Sequence, residues 1–196
     1  MDIVHIDDEI IVVNKPAGML SVPGRSEPDC ASARIQALYP EALIVHRLDM
    51  ATSGLLLFAR GPATQRSLSA DFAERRVNKR YVALVAGTVN ALDWGEIALP
   101  LRADWPNRPL QQVDHPNGKP SLTRYRSLGF EARTTRLELE PVTGRTHQLR
   151  VHLQAIGHAI LGDMLYGGVA APRLMLHACR LELPTRGLRL ESPPDF

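Results

Sequence analysis

A carboxylate set in a polar turn between two apolar runs is the first feature of this chain able to do chemistry. His46-Arg47-Leu48-Asp49-Met50-Ala51-Thr52-Ser53-Gly54 joins Leu43-Ile44-Val45 to Gly54-Leu55-Leu56-Leu57-Phe58. A loop between buried strands would hold Asp49 on a rigid support, as a positioned catalytic group requires. An ordinary turn, in which Asp49 or Thr52 satisfies backbone N–H groups, has the same pattern. A second polar segment, residues 141–150, carries Arg145 and Arg150 around the start of a helix. The spacing of Leu149, Leu153 and Ile156 places that helix over 147–156, with Thr146 as its N-cap and Gly157 as its stop. Cations near a helix N-terminus oppose its dipole. Unless both arginines are merely solvated, an anion belongs nearby, either an RNA phosphate or a carboxylate from elsewhere in the chain.

Other chemistries lack their residues. His147 and His152 are separated by about 140° around a helix, so they diverge where a zinc helix needs i, i+4, and no metal is expected. An aspartyl-phosphate loop would carry a second carboxylate where Ala51 stands, and Ser53 has no nucleophile elbow around it. No glycine-rich phosphate loop occurs. Cys30 and Cys179 form no CxxC pair, which points to reduced thiols and a cytoplasmic location.

The elements that must position these groups alternate short strands with turns. Residues 3–6 and 10–13 read as a hairpin-like pair, and Asn14-Lys15-Pro16-Ala17-Gly18 ends the second strand. Pro28-Asp29 starts a short helix that Pro40 stops, and Pro62 opens another with Leu68 and Phe72 on one face. Residues 81–85, 121–130 and 133–140 read as strands, and 174–176 and 188–190 as closing strands. Residues 88–120, dense in Pro, Trp, Asn and Gly, form turns and a long loop between short strands. Strands joined mostly by turns favour an α+β fold over a doubly wound sheet.

Composition bounds the class. With 44% hydrophobic and 22% charged residues in 196, the chain can bury a core, and no apolar run is long enough for a membrane helix. The net charge of +2 is too small to announce a nucleic-acid binder. The basic residues are nevertheless 20 Arg to 3 Lys, as a GC-biased genome or a phosphate-binding surface would give. They cluster at Arg66, Arg75, Arg76, Lys79 and Arg80.

Taken together, the motifs resemble the RluA family of pseudouridine synthases. The likeness is carried by Asn14-Lys15-Pro16-Ala17-Gly18, His46-Arg47-Leu48-Asp49, Thr52-Ser53-Gly54 and Lys79-Arg80-Tyr81. Residues 144–152, Gly162-Asp163 and Leu176-His177-Ala178 complete it in the family's order. Residues 104–109 and 20–25 are most similar to the dual-specificity members. The resemblance implies a single catalytic domain over residues 1–196, with a mixed, largely antiparallel sheet flanked by helices and loops and no S4 RNA-binding module. It further implies isomerisation of uridine to pseudouridine without metal or cofactor, on stem-loops of large-subunit ribosomal RNA and tRNA, by a monomer with no membrane association.

By the same resemblance, Asp49 is the catalytic carboxylate, Arg150 pairs with it, and Tyr81 stacks on the target base. Tyr81 would otherwise be an aromatic packed in a strand. Arg47 would fill the space left by an everted base. Arg75, Arg76, Lys79, Arg80, Arg108 and Arg145 would contact RNA. Two other classes remain to be distinguished: a non-catalytic RNA-binding or RNA-chaperone protein of the same fold, and an aspartate-dependent nucleoside hydrolase.

Overall fold

The computed structural model describes residues 1–196. In chain order the elements are β1 (Asp2–Ile6), β2 (Ile10–Lys15), α1 (Ala31–Leu38), β3 (Ala42–Ile44), β4 (Ser53–Arg60) and α2 (Pro62–Ala73). They continue as β5 (Asn78–Ala86), β6 (Gly95–Ile97), β7 (Leu101–Ala103), β8 (Gln111–Val113), β9 (Thr123–Glu131) and β10 (Thr134–Pro141). Helix α3 (Gln148–Ala155), β11 (Leu176–Leu183) and β12 (Leu188–Glu191) close the chain. Contacts divide it into two compact units: residues 1–79 with 177–195, and residues 80–176 with Phe196.

In the first unit β2 and β4 pair antiparallel, from Ile10 opposite Ala59 to Lys15 opposite Gly54. Both strands are buried on both faces, which is why they read as unbroken apolar runs and not as alternating ones. β1 extends the sheet beyond β2, and β3 pairs with the far end of β4. At the other end of β4, Ser53 and Gly54 run parallel to His177 and Ala178 of β11. A Cβ on Gly54, whose φ is +116°, would come 2.4 Å from the Ala178 carbonyl oxygen, so this crossing requires glycine. Helix α2 lays Leu68 and Phe72 on this sheet, against Leu55, Leu57, Leu181 and Leu183, as the spacing predicts.

The second unit is built on the antiparallel run β5-β10-β9-β6, with β7 and β8 as a separate two-stranded hairpin. Gln148 through Leu153 of α3 are all buried, so this part of the helix is enclosed all round and not on one face. The mixed, mostly antiparallel α+β architecture agrees with the sequence reading.

Three local expectations are corrected. Helix α1 begins at Ala31, where the Cys30 thiol caps the Ala33 N–H, while Asp29 pairs with Arg34 instead. Thr146 does not cap α3. His147 takes that place in the left-handed region at φ +53°, and the Gln148 side chain accepts the Arg145 N–H at 3.0 Å in a cap's stead. The closing strand begins at Leu176, not Leu174, because Met175 is engaged by the backbones of Leu84 and Leu161.

Candidate active site

Asp49 lies in an irregular stretch between β3 and β4, and its backbone surroundings are pinned on both sides. The Ser21 hydroxyl donates to the Leu48 carbonyl (2.7 Å) and accepts from the Leu48 N–H (3.1 Å). The Met50 carbonyl receives the Gly18 N–H at 2.8 Å, and the Asp49 carbonyl receives the Thr52 N–H at 3.1 Å. This loop therefore behaves as a fixed mount for a half-buried carboxylate.

Beneath the loop sits Lys15, with no exposed surface. Its ammonium donates to the carbonyls of Pro16 (2.9 Å), Met19 (2.8 Å) and Met50 (3.2 Å). Three carbonyl acceptors use all three of its donors, which is how a buried ammonium is tolerated. Burial pushes its pKa down from 10.5 to about 8, while the Asp49 charge works in the opposite direction. Lys15 thus ties the Asn14–Gly18 turn to the loop and faces the carboxylate electrostatically.

His46 anchors the other end. Its Nε2 accepts the Leu57 N–H at 3.0 Å, so the ring proton resides on Nδ1. The ring stacks on Phe72 at 4.8 Å. Burial and then the Lys79 charge lower its pKa to about 3, so the imidazole stays neutral at physiological pH. This histidine is a strut, not an acid or base. Arg47, next to it, is exposed.

In the second unit, Tyr81 lies half-buried in β5 opposite Leu139 of β10. Arg150, 4% exposed, stands in the first turn of α3 and makes a two-pronged pair with Asp163, 1% exposed. Nε donates to Oδ2 at 2.8 Å and Nη2 to Oδ1 at 2.7 Å. The anion that the arginines near this helix require therefore includes a carboxylate of the chain. Asp163 also accepts the Leu165 and Tyr166 N–H groups at 3.1 and 3.2 Å. Gly162 delivers it: at φ +73° a Cβ there would come 1.9 Å from the Arg173 carbonyl oxygen.

The RNA-contact residues expected from sequence fall into two groups. Arg76 is taken up by Asp71 (2.8 Å) and by Glu74. Arg80 faces Glu140 and Glu138 and lies 4.8 Å over the Trp94 ring. Lys79 is half-buried beside Phe72, with its pKa lowered by desolvation. Arg75, Arg108 and Arg145 are exposed and form no ion pair within the chain. Asp49 and Arg47 belong to the first unit, and Tyr81 and Arg150 to the second.

Sequence reasoning placed Lys15 in the turn that ends the second strand and did not name Asp163 as a partner of Arg150. The signal for the latter was the cation near a helix N-terminus, which demanded an anion without naming it. The bonds that Ser21 and Gln148 make were not readable, since single polar residues reveal their acceptors only once the chain is folded.

Residues 9–155 match the family model described as RNA pseudouridylate synthase. The chain belongs to the RNA pseudouridylate synthase family. Membership makes it an isomerase of uridine in RNA, and the non-catalytic alternative finds no support. The dual-specificity RNA pseudouridine synthase RluA of Escherichia coli (strain K12) is 48% identical over 99% of this chain and 93% of its own. The RluA of Pasteurella multocida is 46% identical over 100% of this chain and 94% of its own. Among solved structures, human RNA pseudouridylate synthase domain containing 1 superimposes with a TM-score of 0.87 at 32% identity, covering 100% of this chain and 84% of that one. No helix of this pseudouridine synthase is long and apolar enough to cross a membrane.

Proposed function

We propose that this synthase acts on uridines in stem-loops of large-subunit ribosomal RNA and of tRNA. Residues 1–196 would form one catalytic domain, working as a cytoplasmic monomer, with Asp49, Tyr81 and Arg150 at the reaction centre. The observation that carries the catalytic assignment is the pinning of the Asp49 loop through Ser21, Gly18 and Lys15, since a carboxylate in an incidental turn needs no such mount. The relatives titled dual-specificity, 46–48% identical to this chain, support a substrate range of more than one RNA.

The target uridine leaves its stack at a cost of a few kcal/mol, and Arg47 occupies the vacated space with a guanidinium that both stacks and hydrogen-bonds. The Asp49 carboxylate assists cleavage of the N1–C1′ bond. Uracil rotates in place and its C5 bonds C1′, after which the C5 proton is lost and N1 gains one, so atoms balance without a co-reactant. Tyr81 stacks on the rotating base. Arg150, oriented by its two-pronged pair with Asp163, supplies the positive charge of this reading. The exposed Arg75, Arg108 and Arg145 take phosphates.

The test is a map of pseudouridines in total RNA from cells lacking the gene and from cells complemented with wild type or Asp49→Asn. The expected result is loss of specific pseudouridines in both 23S-type RNA and tRNA, restored by wild type alone. Loss from one RNA class only would overturn dual specificity. Restoration by Asp49→Asn would overturn the role of Asp49.

A further inference from the structure

The β7–β8 hairpin ends in a feature that neither the core nor the reaction centre explains. Trp105 is 60% exposed at its tip, and the Arg108 guanidinium lies 3.3 Å from the centre of the indole ring. No carboxylate of the chain pairs with Arg108, whereas Arg102 on the same hairpin is matched by Asp114 at 3.2 Å. The pair thus presents an aromatic ring and an unpaired cation side by side to solvent.

The tip is also fixed. The Asp104 N–H donates to the Leu110 carbonyl (3.0 Å), the Leu110 N–H to the Asn107 carbonyl (3.0 Å), and the Asn107 N–H to the Asp104 carbonyl (3.1 Å). The Asn107 side-chain amide adds a bond to the Asp104 carboxylate at 2.9 Å. Where the loop enters β8 the Gln111 N–H donates to the Tyr166 hydroxyl at 2.9 Å, and that hydroxyl also bonds His147 Nδ1 at 2.7 Å. The Tyr166 ring lies 5.1 Å beneath the Arg150 guanidinium. Tyr166 thereby registers the hairpin against the start of α3 and the arginine that it carries.

We propose that Trp105 and Arg108 form an RNA contact outside the reaction centre, in which the indole stacks on an unpaired base and the guanidinium takes the phosphate beside it. The proposal rests on the RNA-substrate reading above and adds a site for a second nucleotide. Every base has a π-face, so this contact selects unpaired loop over helix more than one sequence over another. Arginine held against an aromatic ring keeps its outward N–H groups for phosphate.

The experiment uses the full chain carrying Asp49→Asn, so that RNA binds without turnover, and two labelled probes: a hairpin RNA with an unpaired loop and a fully paired duplex of equal length. Trp105→Ala is expected to weaken hairpin binding roughly tenfold, as loss of one base–aromatic stack does, and duplex binding less than twofold. Trp105→Phe should recover most of the loss. In a Trp94→Phe background Trp105 is the sole tryptophan, and its fluorescence should change on adding hairpin and not duplex. Hairpin binding within twofold of the parent, equal losses on both probes, or unchanged fluorescence while the hairpin binds would each overturn the proposal. Failure of the parent to bind either probe would overturn the RNA-substrate reading itself, and this inference with it.

Discussion

Replacing Asp163 by asparagine leaves the shape of the side chain and removes its charge, which isolates what the Arg150–Asp163 pair contributes. Both groups are almost wholly buried, and the carboxylate holds two guanidinium nitrogens and two backbone N–H groups. An asparagine oxygen can keep the Oδ1 partners. Its NH2 then opposes the Arg150 Nε–H, donor against donor, and the guanidinium loses the charge that compensates its burial. Breaking one side of a buried pair costs about 3–5 kcal/mol. For a chain of this size that corresponds to a fall in melting temperature of roughly 6–20 °C. Urea unfolding at constant m-value gives the free-energy loss directly. The double variant Asp163→Leu with Arg150→Met removes both charges and should recover at least half of it. A loss below about 1 kcal/mol for Asp163→Asn, or a double variant no better than the single, would refute the view that this pair is buried and mutually dependent.

The two buried bases should both make stability rise with pH, His46 on the acid limb of the profile and Lys15 on the alkaline limb. His46 is held down to about pH 3, so its contribution is complete above pH 6.5 and is lost toward pH 3. His46→Gln should flatten that acid limb by up to about 1.4 kcal/mol per pH unit, read from urea midpoints. Lys15, lowered to about 8 from 10.5, is charged in both states below pH 8. Between those values the unfolded chain binds the extra proton, so this group makes stability rise with pH, by up to about 3 kcal/mol in all. Lys15→Met should abolish that rise. Arg47→Ala should reduce activity on a structured stem-loop more than on an unpaired fragment, and equal losses would remove its base-replacing role. In salt titrations of RNA binding, Arg75→Ala and Arg145→Ala should each lower the slope by nearly one, while Arg76→Ala, already paired with Asp71 and Glu74, should leave it unchanged.

How much of this was legible in the sequence varied with the range of the interaction. The Leu68 and Phe72 face of α2, the β1–β2 hairpin and the β9–β10 pair follow from local periodicity and turn chemistry, and all are present. The β11 strand was mostly missed because His177, Arg180 and Glu182 interrupt its apolar residues, and only pairing with β4 and β12 makes sense of them. Asp49 was legible through its motif, but its mount was not. Ser21 and Lys15 reach the loop across 27 and 35 residues, separations at which no pattern is readable. Likewise Arg76 and Arg80 looked like phosphate contacts while their carboxylate partners were out of view, and the structure shows those partners in place.

The most direct measurement is release of tritium to water from stem-loop RNA labelled at C5 of uridine. Wild type should release it and leave an isomerised nucleotide in the chain, and Asp49→Asn, with an unchanged melting temperature, should be slower by at least about a hundredfold. A rate for Asp49→Asn close to wild type, or free labelled uracil as the product, would contradict catalysis of this isomerisation by the mounted carboxylate.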